Sequence, residues 1–329
     1  MNRIELKNVP SVAFIIPLYN KGPYIARTIN SILGQTYQNF EIIVVNDGST
    51  DHGPDIISTY KDSRIKLIHQ ANAGPGAARN TGMYQSIASF LSFLDADDEL
   101  LPDFLERSIK HLQENPECLV SVTGHFRGSE RTSWRKEFPS RFEVTQGSWR
   151  LPIDTEPNLV KATLDFFHSG AVVCSRKVLE EFGGFYSKDH CTYGEDSYLW
   201  LQVVLNYKVY CDPTPLMWHH TEASALGQGR KEAYPPWPKL TDPNPIRNVC
   251  PPEYLPLLER CLAYYALVAA SRCARAGDSR TAQQLLKNFP LAQTFVLGNI
   301  KIYCRIKLTE LFTFVHRLKR CFGIIKVQA

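Results

Sequence analysis

The sequence predicts an α/β protein, a mostly parallel sheet flanked by helices, with a helical C-terminal extension. Short β-branched apolar runs alternate with helix-spaced segments over the first hundred residues, the pattern of strands joined by helical crossovers. Polar motifs follow those runs directly, at the strand ends where open α/β sheets gather ligands. From about residue 254 the apolar period becomes helical throughout.

VAFII at 12–16 is short, apolar and β-branched, as a buried strand should be. YIARTINSILGQ at 24–35 has helical spacing, and EIIVVN at 41–46 reads as a second strand. RIKLIHQ at 64–70 is the third strand, residues 76–86 a helix after a Gly-Pro-Gly turn, and SFLSFL at 89–94 the fourth. LVSVTGHF at 119–126 predicts another strand, and GAVVCSRKVLEEFGGF at 170–185 a strand running into a helix that stops at Gly183-Gly184. Residues 127–158 are basic, aromatic and rich in Ser and Pro, as in a long functional loop. Residues 226–253 are heavy in Pro and Gly and read as a linker or flap, and 262–288 as a helical hairpin.

The 329 residues suit one large domain or two ordinary ones. With 44% hydrophobic and 21% charged residues the mixture is globular, and a net charge of +4 gives no case for nucleic acid. Nine dispersed cysteines without a CxxC pair argue for a reducing compartment and against a disulfide framework or zinc site. MNRIELKNVPSVAFIIPLYN lacks a signal-peptide layout, and no run of eighteen apolar residues is present, so a cytoplasmic location is expected.

Four features sit at predicted strand ends: Pro17-Leu18-Tyr19-Asn20, Asn46 to Asp51, Gly74 to Asn80, and Asp95-Ala96-Asp97-Asp98. Three aspartates within four positions repel one another and call for a cation. Hard carboxylate oxygens at a strand end suit a divalent cation. A helix N-cap is the competing explanation for Asp98, but one cap needs one carboxylate, not three.

PLYN, VVNDGSTD, GPGAARNTG, FLDADD, GAVVCSRKVLEEFGGF and GEDSYLWLQV, in that order over 12 to about 225, resemble a family 2 inverting glycosyltransferase with the GT-A fold. The C-terminal hundred residues lie outside the resemblance. It implies a GT-A domain over 1–225, with a nucleotide-binding half at about 10–100 and an acceptor half at about 119–225. The linker or flap at 226–253 and a helical extension at 254–329 would follow. Its implied substrates are a nucleotide-sugar donor, most simply UDP-linked, and a saccharide or lipid-linked acceptor.

The resemblance implies a divalent ion, Mn2+ or Mg2+, bridging the donor's diphosphate, and Asp97 is then expected as its direct ligand. Asp95 is expected on the ribose or, through water, on the metal, and Asp98 orients the site or approaches the acceptor. Asp47 is expected to accept the N3–H of uracil; Asn46 stands where the family more often has Asp, and an Asx-turn would explain Asp47 equally locally. Pro17, Tyr19 and Asn20 would line the base pocket, with Ala96 also on the donor. Arg79, in the first turn of its helix, would face phosphate, against the alternative of a surface ion pair. The resemblance makes Asp196 the general base, with Glu195 assisting or binding acceptor hydroxyls; a charged helix N-terminus is the plain alternative. His220 matches a terminal H-x-x-x-S block and is expected on the metal or the diphosphate, unless it is structural. Trp200 and Trp218 are better placed in core or interface than on a sugar.

Lys301, Arg305, Lys307, Arg317, Lys319 and Arg320 interleave with apolar residues, which suits either a peripheral contact with an anionic leaflet or a solvated helical cap. Three other classes compete. A haloacid-dehalogenase-like phosphatase is excluded by Glu99 and by the motif's position after the fourth strand. A sugar nucleotidyltransferase lacks its Gly-rich loop here. A catalytically idle binding module of the same fold is opposed by the acids at 95, 97 and 196.

Overall fold

A computed structural model of the chain describes residues 11–128, 132–133, 145–223 and 237–295. Four strands form a parallel run in the order β3 (Ile65–Gln70), β2 (Phe40–Asp47), β1 (Val12–Leu18), β4 (Phe90–Phe93). Helices α1 (Gly22–Leu33), α2 (Gly53–Thr59) and α3 (Pro75–Tyr84) connect them, as the alternation predicts. The sheet then continues through β9 (Val172–Ser175), β6 (Val120–Arg127), β10 (Val209–His219) and β5 (Glu99–Leu100). β9 runs antiparallel to both neighbours, whereas β6 and β10 pair in parallel. Two short strands, β7 (Thr132–Ser133) and β8 (Gly147–Trp149), add to β6 and β10.

β1 shows why the sheet is covered on both faces. Ala13 and Ile15 join one apolar cluster, while Val12, Phe14, Ile16 and Leu18 join the other, following the two-residue period of a strand. α1 buries Ile25, Ile29 and Ile32 at helical spacing on the second cluster. α4 (Phe104–Glu114) packs on the second cluster, whereas the first runs into α5 (Pro157–Phe166), α6 (Arg176–Glu181), α7 (Glu195–Asn206) and α10 (Leu255–Arg275). Its centre is Trp200, fully buried, which donates Nε1–H to Ser169 Oγ at 3.2 Å and stands edge-on to Phe185. Trp200 is therefore a core residue.

One competing reading falls, one strand is new and one expectation changes. Asp98 caps no helix, because Glu99 and Leu100 form β5 and α4 begins only at Phe104. β10, interrupted by Pro213 and Pro215, still pairs with β6 through register shifts at those prolines. The Pro-rich stretch is no flap from Trp237 onward: it forms α8 (Pro238–Thr241) and α9 (Asn244–Val249), burying Trp237, Lys239, Leu240 and Ile246. The earlier part of that stretch, and the basic tail from 301, lie outside the described residues.

The predicted hairpin is present as α10 and α11 (Ser279–Asn288), capped by Asp278, whose Oδ1 accepts Thr281 N–H at 3.0 Å. It packs onto the second half of the sheet domain: Tyr254 O–H donates to Leu151 O at 2.6 Å, and Arg260 pairs with Glu156 at 2.8 Å. Among the described residues all seven cysteines are free thiols, and no helix is long and apolar enough to cross a membrane.

Trp200→Ala is expected to cost about 3–5 kcal/mol of stability, the usual scale for truncating a buried aromatic. A shift of the chemical-denaturation midpoint measures it.

Candidate active site at the strand ends

The loops after β1 to β4 are joined by side chain to backbone bonds rather than by apolar packing. Asn20, held at a φ of 52°, accepts Thr50 N–H on Oδ1 at 2.8 Å and donates its own N–H to Ser49 Oγ at 3.1 Å. Asp51 accepts Gly22 N–H at 2.7 Å, tying the second loop to the start of α1. Asp47 accepts the N–H groups of Ala73 and Gly74 at 2.9 and 3.0 Å and the Gln70 amide at 2.7 Å. Its carboxylate thus shapes the turn into α3. Asn46 accepts Ser49 N–H at 2.9 Å and contacts His69 Nδ1 at 3.0 Å. Pro17 lies in β1, and Tyr19 is 49% exposed at the rim.

α1 holds the aspartate turn. Lys21 Nζ pairs with Asp97 at 2.5 Å, Arg27 donates to Asp97 O at 2.6 Å, and Thr28 Oγ1–H donates to Asp98 O at 2.8 Å. Asp98 N–H closes the turn on Asp95 O at 3.1 Å, with Ala96 buried inside it. Asp98 is fully buried; its Oδ1 accepts His220 N–H at 3.0 Å, while its Oδ2 has no hydrogen-bond partner.

Arg79 connects the two halves. It is 4% exposed and donates to Asp95 Oδ1 at 2.6 Å and to Glu195 Oε1 at 2.8 Å. Burial opposes its charge, but Asp95 and Glu195 hold its pKa above the ordinary arginine value. Arg79 is therefore no surface ion pair; it is the buried counter-charge of both acidic motifs. Close approach makes this possible: a Cβ at Gly76 would lie 2.3 Å from Tyr186 O, so only glycine lets the first turn of α3 meet the 186–195 loop. Asn80 locks the same contact, exchanging hydrogen bonds of 2.8 Å with both backbone groups of Phe185.

The acids now divide. Burial works against the Asp95 carboxylate, yet Arg79 and then His168 bring its pKa below the usual range. Burial and the Asp95 charge push Asp97 up, against Lys21. The same causes, with Asp97 added, raise Asp98 well above the usual range. Glu195 is buried and pushed up to about 7 by desolvation and then by Asp196, despite Arg79. Facing inward on Arg79, Glu195 is spent on architecture and is not open to an acceptor. Asp196 is half-buried in the first turn of α7 and accepts Ser197 N–H at 2.6 Å. It is the accessible acid of the pair.

The imidazole brought to the aspartates is that of His219, not His220. β5 pairs antiparallel with β10 at Trp218 and Met217, which carries the end of β10 alongside the turn. His220 is turned away: its ring bonds Glu99 at 3.0 Å and Glu222 at 2.9 Å and stacks on Trp218. Single-residue alternation at a strand end decides this, and the HH pair could not reveal it. Asp98, His168 and His219 bring one ligand atom each within 4.8 Å of one another. Burial lowers the pKa of His168 to about 3 and of His219 to about 4, so both imidazoles are neutral, the form that binds a metal. With the unpartnered Asp98 oxygen, this donor set fits a divalent cation. His168 and Lys21 were not singled out by sequence, although Lys21 directly follows PLYN.

Comparison with known proteins agrees with this architecture. Residues 13–183 match the family model described as Glycosyl transferase family 2. The chain is 40% identical over 128 residues to an uncharacterized glycosyltransferase of Rickettsia conorii, covering 39% of this chain and 21% of that one. It is 39% identical over 113 residues to the putative glycosyltransferase EpsH of Bacillus subtilis, covering 34% of this chain and 33% of that one. The match thus spans a third or less of those relatives' length. Among solved structures, S. aureus TarS 1–349 in complex with UDP-GlcNAc superposes with a TM-score of 0.61 at 19% identity, over 86% of this chain and 81% of that one. The mannosyltransferase PcManGT of Pyrobaculum calidifontis, in complex with GDP-Man and Mn2+, gives 0.53 at 19% identity over 92% and 86%. These likenesses show the GT-A type of fold.

Arg79→Met is expected to destabilise the protein by about 3–5 kcal/mol, because Asp95 and Glu195 lose a buried counter-charge. Adding Glu195→Gln should recover part of that loss. Thermal melts of the single and double variants measure both.

Proposed function

The chain belongs to glycosyl transferase family 2, and on that footing we propose that it is an inverting, metal-dependent enzyme moving a hexose or N-acetylhexosamine from a UDP-linked donor to a saccharide or lipid-linked hydroxyl. One observation carries the reading: five loops meet through Arg79, Asp47 and Lys21, and beside them Asp196, half-buried, is the more accessible acid of the Glu195-Asp196 pair. TarS, of the same fold, was crystallised with UDP-GlcNAc, which favours UDP as the donor nucleotide.

The nucleotide lies on the loops after β1 and β2. Tyr19 offers an open ring beside Pro17 and Asn20 for the base. Asp47 Oδ2 accepts Gly74 N–H and keeps a second lone pair for the N3–H of uracil. Asp95 faces the ribose with Arg79 fixing its orientation, and Ala96 keeps the turn close to the donor. The Asp98–His168–His219 group would hold the cation, with His219 in the place first expected of His220, and Asp97 and Asp95 of the same turn would add to its ligands. When bound, a divalent ion neutralises the charge that grows on the departing diphosphate. Lys21 occupies Asp97 otherwise and limits the repulsion of the cluster.

Asp196 takes the proton of the acceptor hydroxyl as that oxygen attacks the anomeric carbon from the face opposite the diphosphate, which inverts the configuration. Glu195 and Arg79 fix the helix turn that carries it. A lipid-linked acceptor accords with the basic stretch at 301–320 as a leaflet contact, read from composition alone.

Asp97→Asn should abolish manganese-dependent UDP binding by calorimetry while the far-UV CD spectrum stays unchanged. An unaltered UDP affinity with manganese present removes the cation from this turn. Asp196→Asn should keep UDP binding but slow UDP release from a panel of UDP-hexoses and UDP-N-acetylhexosamines by about 10²-fold or more, the scale of a general base. Wild-type release from that variant places the base elsewhere.

A further inference from the structure

Lys239 lies in the stretch that reads as linker, yet it is only 1% exposed. Its Nζ donates to Ser197 Oγ at 2.8 Å, and Ser197 Oγ donates to Gly194 O at 3.1 Å. The same serine's N–H donates to Asp196 Oδ1 at 2.6 Å. The ammonium is thus fastened to the turn that carries Asp196, one residue beyond it.

The surroundings are built for this cation. Nζ sits over the Tyr265 ring at 4.2 Å and near the Trp237 ring at 5.7 Å. Trp237 packs on Gly194, where a Cβ would lie 2.6 Å from its ring and where φ is +84°. Tyr198 O–H donates to Asp242 O at 3.0 Å, and Lys188 pairs with Asp242 at 2.6 Å. One short segment, 237–242, therefore forms the back wall of the Glu195-Asp196 turn. Among the described residues no carboxylate is within ion-pairing distance of Lys239. A buried ammonium without an ion pair is costly to keep, so the site offers more than packing.

We infer that Lys239 is a positioning residue for transfer: it fixes the first turn of α7 through Ser197 and places a positive charge behind Asp196. This rests on the reading of Asp196 as base. The neighbours are consistent with it. Asp196 on α7 and Asp165 on α5 oppose the loss of the Lys239 proton, Lys161 on α5 favours it, and Asp165 is itself paired with Lys161. On α10, burial pushes the Cys261 thiol up to about 12 and the Tyr265 phenol well above its ordinary value, so both stay neutral where Lys239 titrates.

Burial lowers Lys239 to about 8, so the cation is present at pH 7 and lost as pH rises through that value. Wild-type kcat for UDP release should accordingly fall on the alkaline side near pH 8. Lys239→Met removes the charge with little change of volume. It should lower kcat at pH 7 by about ten-fold, a fraction of what a correctly held general base contributes. The alkaline limb should vanish, the donor KM stay put, and the melting temperature hold or rise, since a buried charge is gone. Ser197→Ala, which keeps the lysine, should give a smaller loss and retain the limb. A Lys239→Met variant with wild-type kcat, or with the alkaline limb intact, overturns the inference, as does a kcat loss matched by a lower melting temperature. Asp196→Asn separates the two readings: wild-type rates there sink the base assignment, whereas a slow Asp196→Asn beside an unaffected Lys239→Met sinks only the role of Lys239.

Discussion

One buried guanidinium sets the geometry of the whole site. The Asp95–Asp98 turn and the Glu195-Asp196 turn are a hundred residues apart in the chain, and both are acidic. Brought together without a cation they would repel at low dielectric. Arg79 resolves this because its planar fork donates to two carboxylates in different directions, at 2.6 and 2.8 Å, which a lysine point charge would not do with the same precision of direction. Gly76 and Asn80 then hold the surrounding backbones at contact distance. The strand-end loops and the first turn of α7 are positioned by the same residue.

That constraint explains why neighbouring acids have different fates. Asp95 and Glu195 bond the guanidinium, with Asp95 partly exposed; Asp98 is buried beside two imidazoles; Asp97 is buried and paired with Lys21, and Asp196 is partly exposed. In each motif the split follows from local geometry. The 95–98 segment is a β-turn closed by Asp98 N–H on Asp95 O, so successive carboxylates leave it in different directions. At α7 a step of one residue along a helix rotates the side chain by about 100°, which sends Glu195 inward and Asp196 outward.

Much of this was legible in the sequence. Strands buried on both faces are near-continuous apolar runs, so 12–18 and 40–47 stand out, and turn chemistry marks the loops after them. What the sequence hides is whatever depends on one residue of register or on a distant partner. β10 was missed because Pro213 and Pro215 erase its strand pattern, and with it went the reason His219 rather than His220 meets the aspartates. Lys239 was hidden by the same cause: Pro and Gly around it signal a loop, while Trp237, Leu240 and Ile246 supply the apolar anchors that bury it. Proline excludes regular hydrogen bonding, but it does not exclude packing.

The segment after the sheet domain braces the Glu195-Asp196 turn. An acidic turn at a helix N-terminus is favoured by the helix dipole, but a dipole acts only within about a turn and fixes no direction for a side chain. Direction here comes from contact: Trp237 on Gly194, Lys239 on Ser197, Asp242 on Tyr198, with α10 closing behind them through Tyr265. The sheet end supplies the charges, and the segment following it decides how rigidly the outermost acid is held.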